Sequence, residues 1–158
     1  PKEVIQEILL NGNHAPTHRL TQPWFFKVYE KSSKETLCQL IGKITDSKYS
    51  SVKIQKYIDK IRQSDTVISV FMKRDEQNRI PEWEEIAAVS MAVQNMWLTC
   101  YVNNIGCYLS TPGFKDDYAE LIGLKENERS LGFFFMGSYD HKESLKIRDD
   151  INNKVEWI

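Results

Sequence analysis

The sequence EEIAAVSMAVQNMWLTCYVN, residues 84–103, is the longest hydrophobic signal in the chain. It is apolar on nearly every face of a helix, and such a helix is buried in a protein core or in a membrane. Polar residues recur within it, at Ser90, Gln94, Asn95 and Thr99. Two glutamates stand at its start, where they suit the positive end of the helix dipole. Because these residues argue against a membrane span, the segment predicts the central core helix of a globular domain.

Shorter runs of β-branched and aromatic residues lie on both sides of this helix. WFFKVY (residues 24–29), TVISVFM (66–72) and LGFFFMG (131–137) are typical of buried strands, and CYLS (107–110) of a shorter one. Amphipathic spacing predicts further helices at residues 1–11, 32–44, 49–62 and 115–124. Helices interleaved with a few buried strands predict an α/β or α+β domain.

The composition fits one soluble, intracellular domain. A length of 158 residues allows one substantial core. The 21 Lys and Arg nearly cancel the 22 Asp and Glu, which argues against a binder of nucleic acid. Cys38, Cys100 and Cys107 form no CxxC motif and lie among apolar residues, which favours reduced thiols in the cytoplasm. No window approaches about 18 uninterrupted apolar residues, so we expect no membrane span.

The loop at residues 14–23 is the first candidate site. The chain contains no GxSxG, GxGxxG, Walker or HExxH motif, so these motifs point to no catalytic site. His14 and His18 are four residues apart, but Pro16 between them disfavours a helix and no carboxylate joins them, which argues against a metal site. Imidazole, guanidinium and amide groups within one loop suit an anionic, planar ligand. A solvated loop anchored by Trp24 is the alternative interpretation.

The last residues, 138–158, are mostly polar and end in the sequence KVEWI. A monomer would gain little by ordering such a segment. A partner chain could bury Val155, Trp157 and Ile158 and so offset the entropy lost when the segment is fixed. We therefore expect a single domain over residues 1–158, whose residues 144–158 form an arm that contacts a partner subunit.

Four segments of the chain resemble one family. APTHRLTQPWFF (residues 15–26) resembles the A-P-[ST]-x-x-x-x-Q-P-W-x-F segment of the FMN-dependent nitroreductases. Residues 85–114 resemble that family's central helix and following loop, and LGFFFMGSYD (131–140) resembles its hydrophobic strand with the Gly and Tyr that follow. KVEWI (154–158) is similar to the terminal segment of the small bacterial members. The segments stand in the family's order over nearly the whole chain.

This resemblance implies an α+β fold in which helices flank a mixed sheet, assembled as an intertwined homodimer with two FMN sites at the interface. It also implies an oxidoreductase that takes hydride from NAD(P)H and reduces nitroaromatics, quinones or similar small acceptors in a ping-pong reaction. The flavin N5 carries the hydride in such enzymes, so the protein is expected to supply no catalytic acid, base or nucleophile.

The resemblance also assigns cofactor-binding residues. His14 and His18 match positions whose side chains meet the FMN phosphate or ribityl chain, and Gln22 matches a polar residue that reaches the isoalloxazine ring. The later segment passes the flavin near its reactive edge or phosphate, at positions that correspond here to Leu109, Ser110, Thr111 and Gly113.

Two departures from the family pattern keep other functions open. The arginine-rich segment that clamps the FMN phosphate in relatives would stand before Pro1, where this sequence begins, so two alternatives are open: the protein lacks this clamp, or the clamp precedes Pro1 and nothing is lost. Many relatives present a backbone N–H to the flavin N5 at the turn that holds Pro112, and proline has none, so Thr111 or Gly113 would have to donate. The alternatives are a flavin-binding or non-catalytic relative that keeps the fold without turnover, and a plain interaction domain without flavin affinity.

Overall fold

The structure of the chain is a computed structural model that describes residues 1–44, 49–140 and 148–158. The described helices are α1 (Lys2–Asn13), α2 (Ser33–Gly42), α3 (Ser51–Gln63), α4 (Glu82–Val102) and α5 (Lys115–Leu121). The described strands are β1 (Trp24–Glu30), β2 (Thr66–Lys73), β3 (Gly106–Ser110) and β4 (Glu128–Gly137). Short 3-10 turns lie at His18–Leu20 and Ile151–Lys154. The predicted elements are confirmed, although β4 begins three residues before its predicted start and α5 ends three residues before its predicted end.

The strands form one sheet in the order β1-β2-β4-β3, in which each neighbouring pair is antiparallel. The α+β class is therefore confirmed, whereas a mixed sheet is wrong for the described strands. The chain order explains the difference. α2 and α3 together return the chain to the end of the sheet at which β1 stops, so β2 runs antiparallel to β1. β2 and β3 do run in the same direction, but β4 lies between them.

Two hydrophobic clusters cover the two faces of the sheet. Consecutive β4 residues alternate between them, with Phe133 and Phe135 on one face and Phe134 and Met136 on the other. The first face packs against α2, α3 and α5, and the second packs against α1 and α4. The domain is consequently three layers thick, and the ends of the sheet are where loops can form a site.

Helix α4 is buried on only one side. Its inner face, with Ala88, Ala92 and Met96, packs against α1 and the sheet, as predicted. Its outer face is also apolar but lies in solvent in the single chain, where the exposed side chains are Trp83, Ile86, Met91, Leu98, Tyr101 and Val102. The prediction of a core helix is therefore confirmed for one face, and the other face is an exposed hydrophobic surface. In the described part of the chain, no helix has the length and apolar content that crossing a membrane requires.

The C-terminal segment lies on the surface. Residues 148–158 are all exposed, including the apolar side chains of Val155, Trp157 and Ile158. Residues 144–147 of the predicted arm lie outside the described residues. The arm's contact with a partner subunit stays a prediction.

Candidate functional site

The two predicted cofactor-binding segments lie at the same end of the sheet. The loop at residues 14–23 leads into β1 at Trp24, and the other segment leaves β3 after Ser110. Ser110 is level with Phe133 on β4, Ser69 on β2 and Lys27 on β1, so β3 runs toward the end of the sheet at which β1 begins and stops level with the middle of β1. However, β1 and β3 are opposite edge strands, whose axes are separated by roughly 14 Å at three strand spacings. A single chain thus brings the two segments to one end of the sheet but not to one edge.

The loop before β1 has an unusual backbone. Arg19, Leu20 and Gln22 have positive φ angles of 52°, 54° and 44°. Such conformations are strained for residues other than glycine and cluster at ligand-binding sites. The Thr17 hydroxyl helps to hold them, because it accepts a hydrogen bond from Gln22 N at 3.1 Å and lies 3.1 Å from the Thr21 hydroxyl. Interactions within the loop therefore fix its shape.

Much of the loop's backbone hydrogen bonding is internal. Leu20 N donates to Thr17 O and Thr21 N donates to His18 O. A ligand would consequently meet mainly side chains here. His14, Arg19 and Gln22 are exposed, and their side chains have no hydrogen-bond or ion-pair partner within residues 1–44, 49–140 and 148–158. These side chains offer imidazole, guanidinium and amide groups to a ligand, as the sequence predicts.

His18 has a partner that the sequence did not predict. Its Nδ1 lies 2.5 Å from the Glu84 carboxylate in the first turn of α4, and its side chain is 53% exposed. The sequence predicted Glu84 only as a charge that suits the helix dipole. Because the carboxylate accepts the Nδ1 proton, Nε2 of His18 is the nitrogen left for a ligand. The two residues stand 66 positions apart, so only the fold reveals this contact.

A buried ion network holds the start of α4 at this end of the sheet. Glu85 is fully buried, and its carboxylate accepts hydrogen bonds from Arg74 Nε at 2.5 Å and from Asp75 N at 2.7 Å. Arg74 also contacts Glu82 at 3.2 Å, and Arg129 Nε lies 3.3 Å from the same carboxylate. These contacts fix the first turn of α4 and thereby hold Glu84, the partner of His18, in place.

The segment after β3 is supported by aromatic residues. The Tyr49 hydroxyl donates to Gly113 O at 2.9 Å and also lies 3.1 Å from the Asp117 carboxylate. Phe114 is buried, with its ring 4.9 Å from the Tyr57 ring and 5.9 Å from the Tyr49 ring. Tyr49, Tyr57 and Phe114 thus support the backbone that carries the predicted flavin contacts.

The four predicted residues of this segment have different surroundings. Leu109 packs against the cluster on the α1 and α4 face of the sheet. Ser110 is half-buried and pairs with Phe133 of β4, while Thr111 and Gly113 are exposed. Within the described residues, Thr111 N and Gly113 N make no hydrogen bond, so either can donate where Pro112 cannot.

Gly132 is a residue of this site that the sequence interpretation missed. Val70 pairs with Gly132 and Phe71 pairs with Ser130, so Leu131 is the extra residue of a β-bulge. Gly132 has a φ of 116°, and a Cβ atom there would overlap the Ser110 carbonyl oxygen and lie 3.2 Å from Thr111 Cγ2. Glycine thus lets β4 approach the end of β3. The sequence did contain a signal for Gly132, because a lone glycine inside a strand pattern indicates a bulge or a close approach of another backbone.

Other polar and aromatic residues have structural roles. Asn95 donates to Asn11 O at 3.1 Å and links α4 to α1, and Gln94 lies on the exposed side of α4. Trp24 is buried, as expected for a core residue. Across the described ranges, no group of three or more His, Cys, Asp and Glu side chains could hold a metal ion.

Known proteins are similar to this chain in sequence and in fold. The Nitroreductase family model matches residues 1–138. The Escherichia coli K12 protein named "Putative NAD(P)H nitroreductase YdjA" is 27% identical over 151 residues, which are 92% of this chain and 81% of that protein. The crystal structure of the nitroreductase-like family protein from Bacillus cereus is 25% identical with a TM-score of 0.87, over 100% of this chain and 85% of that one.

A more distant structure has the same fold. The FMN-dependent nitroreductase NfnB of Mycobacterium smegmatis, solved in complex with NADPH, is 14% identical with a TM-score of 0.73, over 100% of this chain and 89% of that one. The family match covers α1 to β4 and both segments of the candidate site. On this match the chain belongs to the nitroreductase family.

Proposed function

We propose that the chain is an FMN-dependent NAD(P)H oxidoreductase that reduces small electron-poor acceptors such as nitroaromatics or quinones in a ping-pong reaction. The observation that carries this proposal is the strained loop at residues 17–22, which lies at the end of the sheet toward which β3 runs. Strained loops that present polar groups on a rigid scaffold are typical of ligand-binding sites. Membership in the nitroreductase family supports flavin as the ligand.

The side chains of the loop fit FMN chemically. Exposed imidazole and guanidinium groups of His14, His18 and Arg19 can meet a phosphate through charge-assisted hydrogen bonds. The Gln22 amide has both a donor and an acceptor and can pair with the polar edge of a flavin ring. We therefore propose that His14, His18 and Gln22 hold the cofactor from this side.

The segment after β3 would hold the flavin from the other side. FMN bound here would supply the hydride chemistry that links NAD(P)H to the acceptor. Thr111 N or Gly113 N would supply a backbone donor to the cofactor, and Ser110 would supply a hydroxyl. Tyr49 keeps this backbone in place through its hydrogen bond to Gly113 O. The protein thus orients the cofactor and provides no catalytic acid or base.

We further propose that each flavin site is built from two chains of a homodimer. The two segments lie on opposite edges of one sheet, so a two-fold partner can place its loop at residues 14–22 beside the β3 segment of the first chain. The exposed apolar face of α4 supports this assembly, because monomeric proteins rarely leave such a surface in water. The arm at residues 144–158 would then bury Trp157 and Ile158 on the partner.

A second candidate is a flavin-binding relative without turnover, which Pro112 favours because it removes one backbone donor from the turn. Oxidation of NADH or NADPH with a nitroaromatic acceptor, measured with added FMN, separates the two. Turnover is expected for the oxidoreductase. Bound flavin without turnover would leave only the second candidate.

The three free cysteines are compatible with a reducing compartment, and we propose the cytoplasm.

A further inference from the structure

Tyr57 packs against Phe114, the residue at which the segment after β3 ends. It belongs to α3 and is only 7% exposed. Its ring makes edge contacts with Phe114 at 4.9 Å, Phe133 at 5.7 Å and Phe135 at 5.6 Å. Phe133 is the cross-strand neighbour of Ser110, and Phe114 ends the segment. The Tyr57 ring is therefore wedged between the end of β3 and the start of α5.

The Tyr57 hydroxyl is buried without a hydrogen-bond partner in the described part of the chain. Other tyrosines on the same face of the sheet behave differently. Tyr29 and Tyr118 bond each other at 2.9 Å, and Tyr118 also bonds Ser69 at 3.0 Å. A buried hydroxyl that makes no bond retains its full desolvation cost, so a native protein usually gives it a partner in some state.

Ser110 pairs with Phe133, whose side chain lies in the same hydrophobic cluster as Tyr57, so the Ser110 side chain stands on the face of the sheet that Tyr57 covers. Burial raises the pKa of the phenol far above its usual range, and the nearby Ser110 hydroxyl lowers it in part. The phenol consequently keeps its proton at physiological pH and can act as a hydrogen-bond donor. Ser110 is also one of the residues that the family resemblance assigns to the cofactor.

We propose that Tyr57 is a positioning residue of the cofactor site, whose hydroxyl donates to Ser110 Oγ when FMN is bound. A hydroxyl that accepts one hydrogen bond can still donate its own, so the Ser110 proton is left to point at the cofactor. This inference rests on the proposed function, because it needs Ser110 to contact FMN. It adds a residue from α3 that no sequence motif identifies.

The test compares Tyr57→Phe with Tyr29→Phe, a matched control whose hydroxyl is buried on the same face but already bonded. FMN dissociation constants, the visible spectrum of bound flavin and the thermal unfolding of the apoprotein are measured for each. Tyr57→Phe should leave apoprotein unfolding unchanged or shift it upward, raise the dissociation constant about fivefold and alter the flavin spectrum. Tyr29→Phe should lower the unfolding temperature and leave FMN binding as in the wild type.

A double-mutant cycle with Ser110→Ala tests the route of the effect. The fivefold change should disappear in the Ser110→Ala background, because the acceptor of the hydrogen bond is gone. An unaltered dissociation constant and spectrum in Tyr57→Phe would overturn the inference, as would a change that persists without the Ser110 hydroxyl. A large loss of apoprotein stability would also overturn it, because the hydroxyl would then have a structural partner. Wild-type protein that binds no FMN would instead refute the proposed function.

Discussion

Gly132 is the position at which one methyl group should disturb the candidate site most. Its φ of 116° is unfavourable for any other residue, and strain of this kind costs about 1–3 kcal/mol. Because a Cβ atom would overlap the Ser110 carbonyl oxygen, β3 and β4 must also separate there. Loss of one ladder hydrogen bond adds about 1 kcal/mol. We expect Gly132→Ala to lower the free energy of unfolding by about 2–4 kcal/mol and to weaken FMN binding.

Gly123→Ala is the matched control for this variant. Gly123 also has a positive φ, of 69°, but nothing lies within 4 Å of a Cβ atom placed there. It should cost about 1–2 kcal/mol, the strain of a left-handed conformation alone, and leave FMN affinity unchanged. Both variants are compared with the wild type by urea unfolding and by FMN titration. Equal losses of stability with equal FMN affinity would refute the close approach of β4 to Ser110 as the reason for a glycine.

Three further changes test other parts of the account. Glu85→Ala should lower the free energy of unfolding, measured in urea, by about 3 kcal/mol, because it leaves the half-buried Arg74 without its main carboxylate partner. A loss below about 1 kcal/mol would argue against the ion network. Gln22→Ala should weaken FMN binding or shift the flavin spectrum without lowering the unfolding temperature, and an unchanged titration would remove Gln22 from the site. Truncation after Asp150 should weaken the dimer in analytical sedimentation, and an equally tight truncated dimer would refute the arm.

Hydrophobic patterning predicts most of the fold. The segment at residues 66–72 consists of β-branched and apolar residues apart from Ser69, and β2 is buried on both faces. Residues 49–62 carry apolar residues at helical spacing, and α3 buries Ile54, Tyr57, Ile58 and Ile61 while its lysines stay in solvent. Such patterns report which side of an element is buried, because burial of apolar area is the main driving force of folding.

The pattern does not report what an apolar face packs against. α4 is apolar on all sides, which predicts burial, yet its outer face lies in solvent in one chain. Strand direction is equally hidden, since it depends on which helices return the chain to which end of the sheet. The resemblance therefore implied a mixed sheet where the described strands are antiparallel.

Parts of the candidate site could not be predicted because they depend on contacts between distant residues. The loop at residues 14–23 was identified from its polar side chains, but its strained backbone and the bond from His18 to Glu84 appear only in the fold. Tyr57 stands at helical spacing with Ile54, Ile58 and Ile61 of α3, a pattern that indicates a core residue and nothing more. Only its unbonded hydroxyl beside Ser110 distinguishes it from Tyr29 and Tyr118.

Flavin binding is the central claim, and the visible absorption spectrum of the purified protein tests it most directly. The protein is mixed with excess FMN, passed through a gel-filtration column and scanned across the visible range. We expect oxidised-flavin bands that elute with the protein at the position of a dimer. A colourless protein peak, obtained from a sample that is folded by circular dichroism, would contradict it.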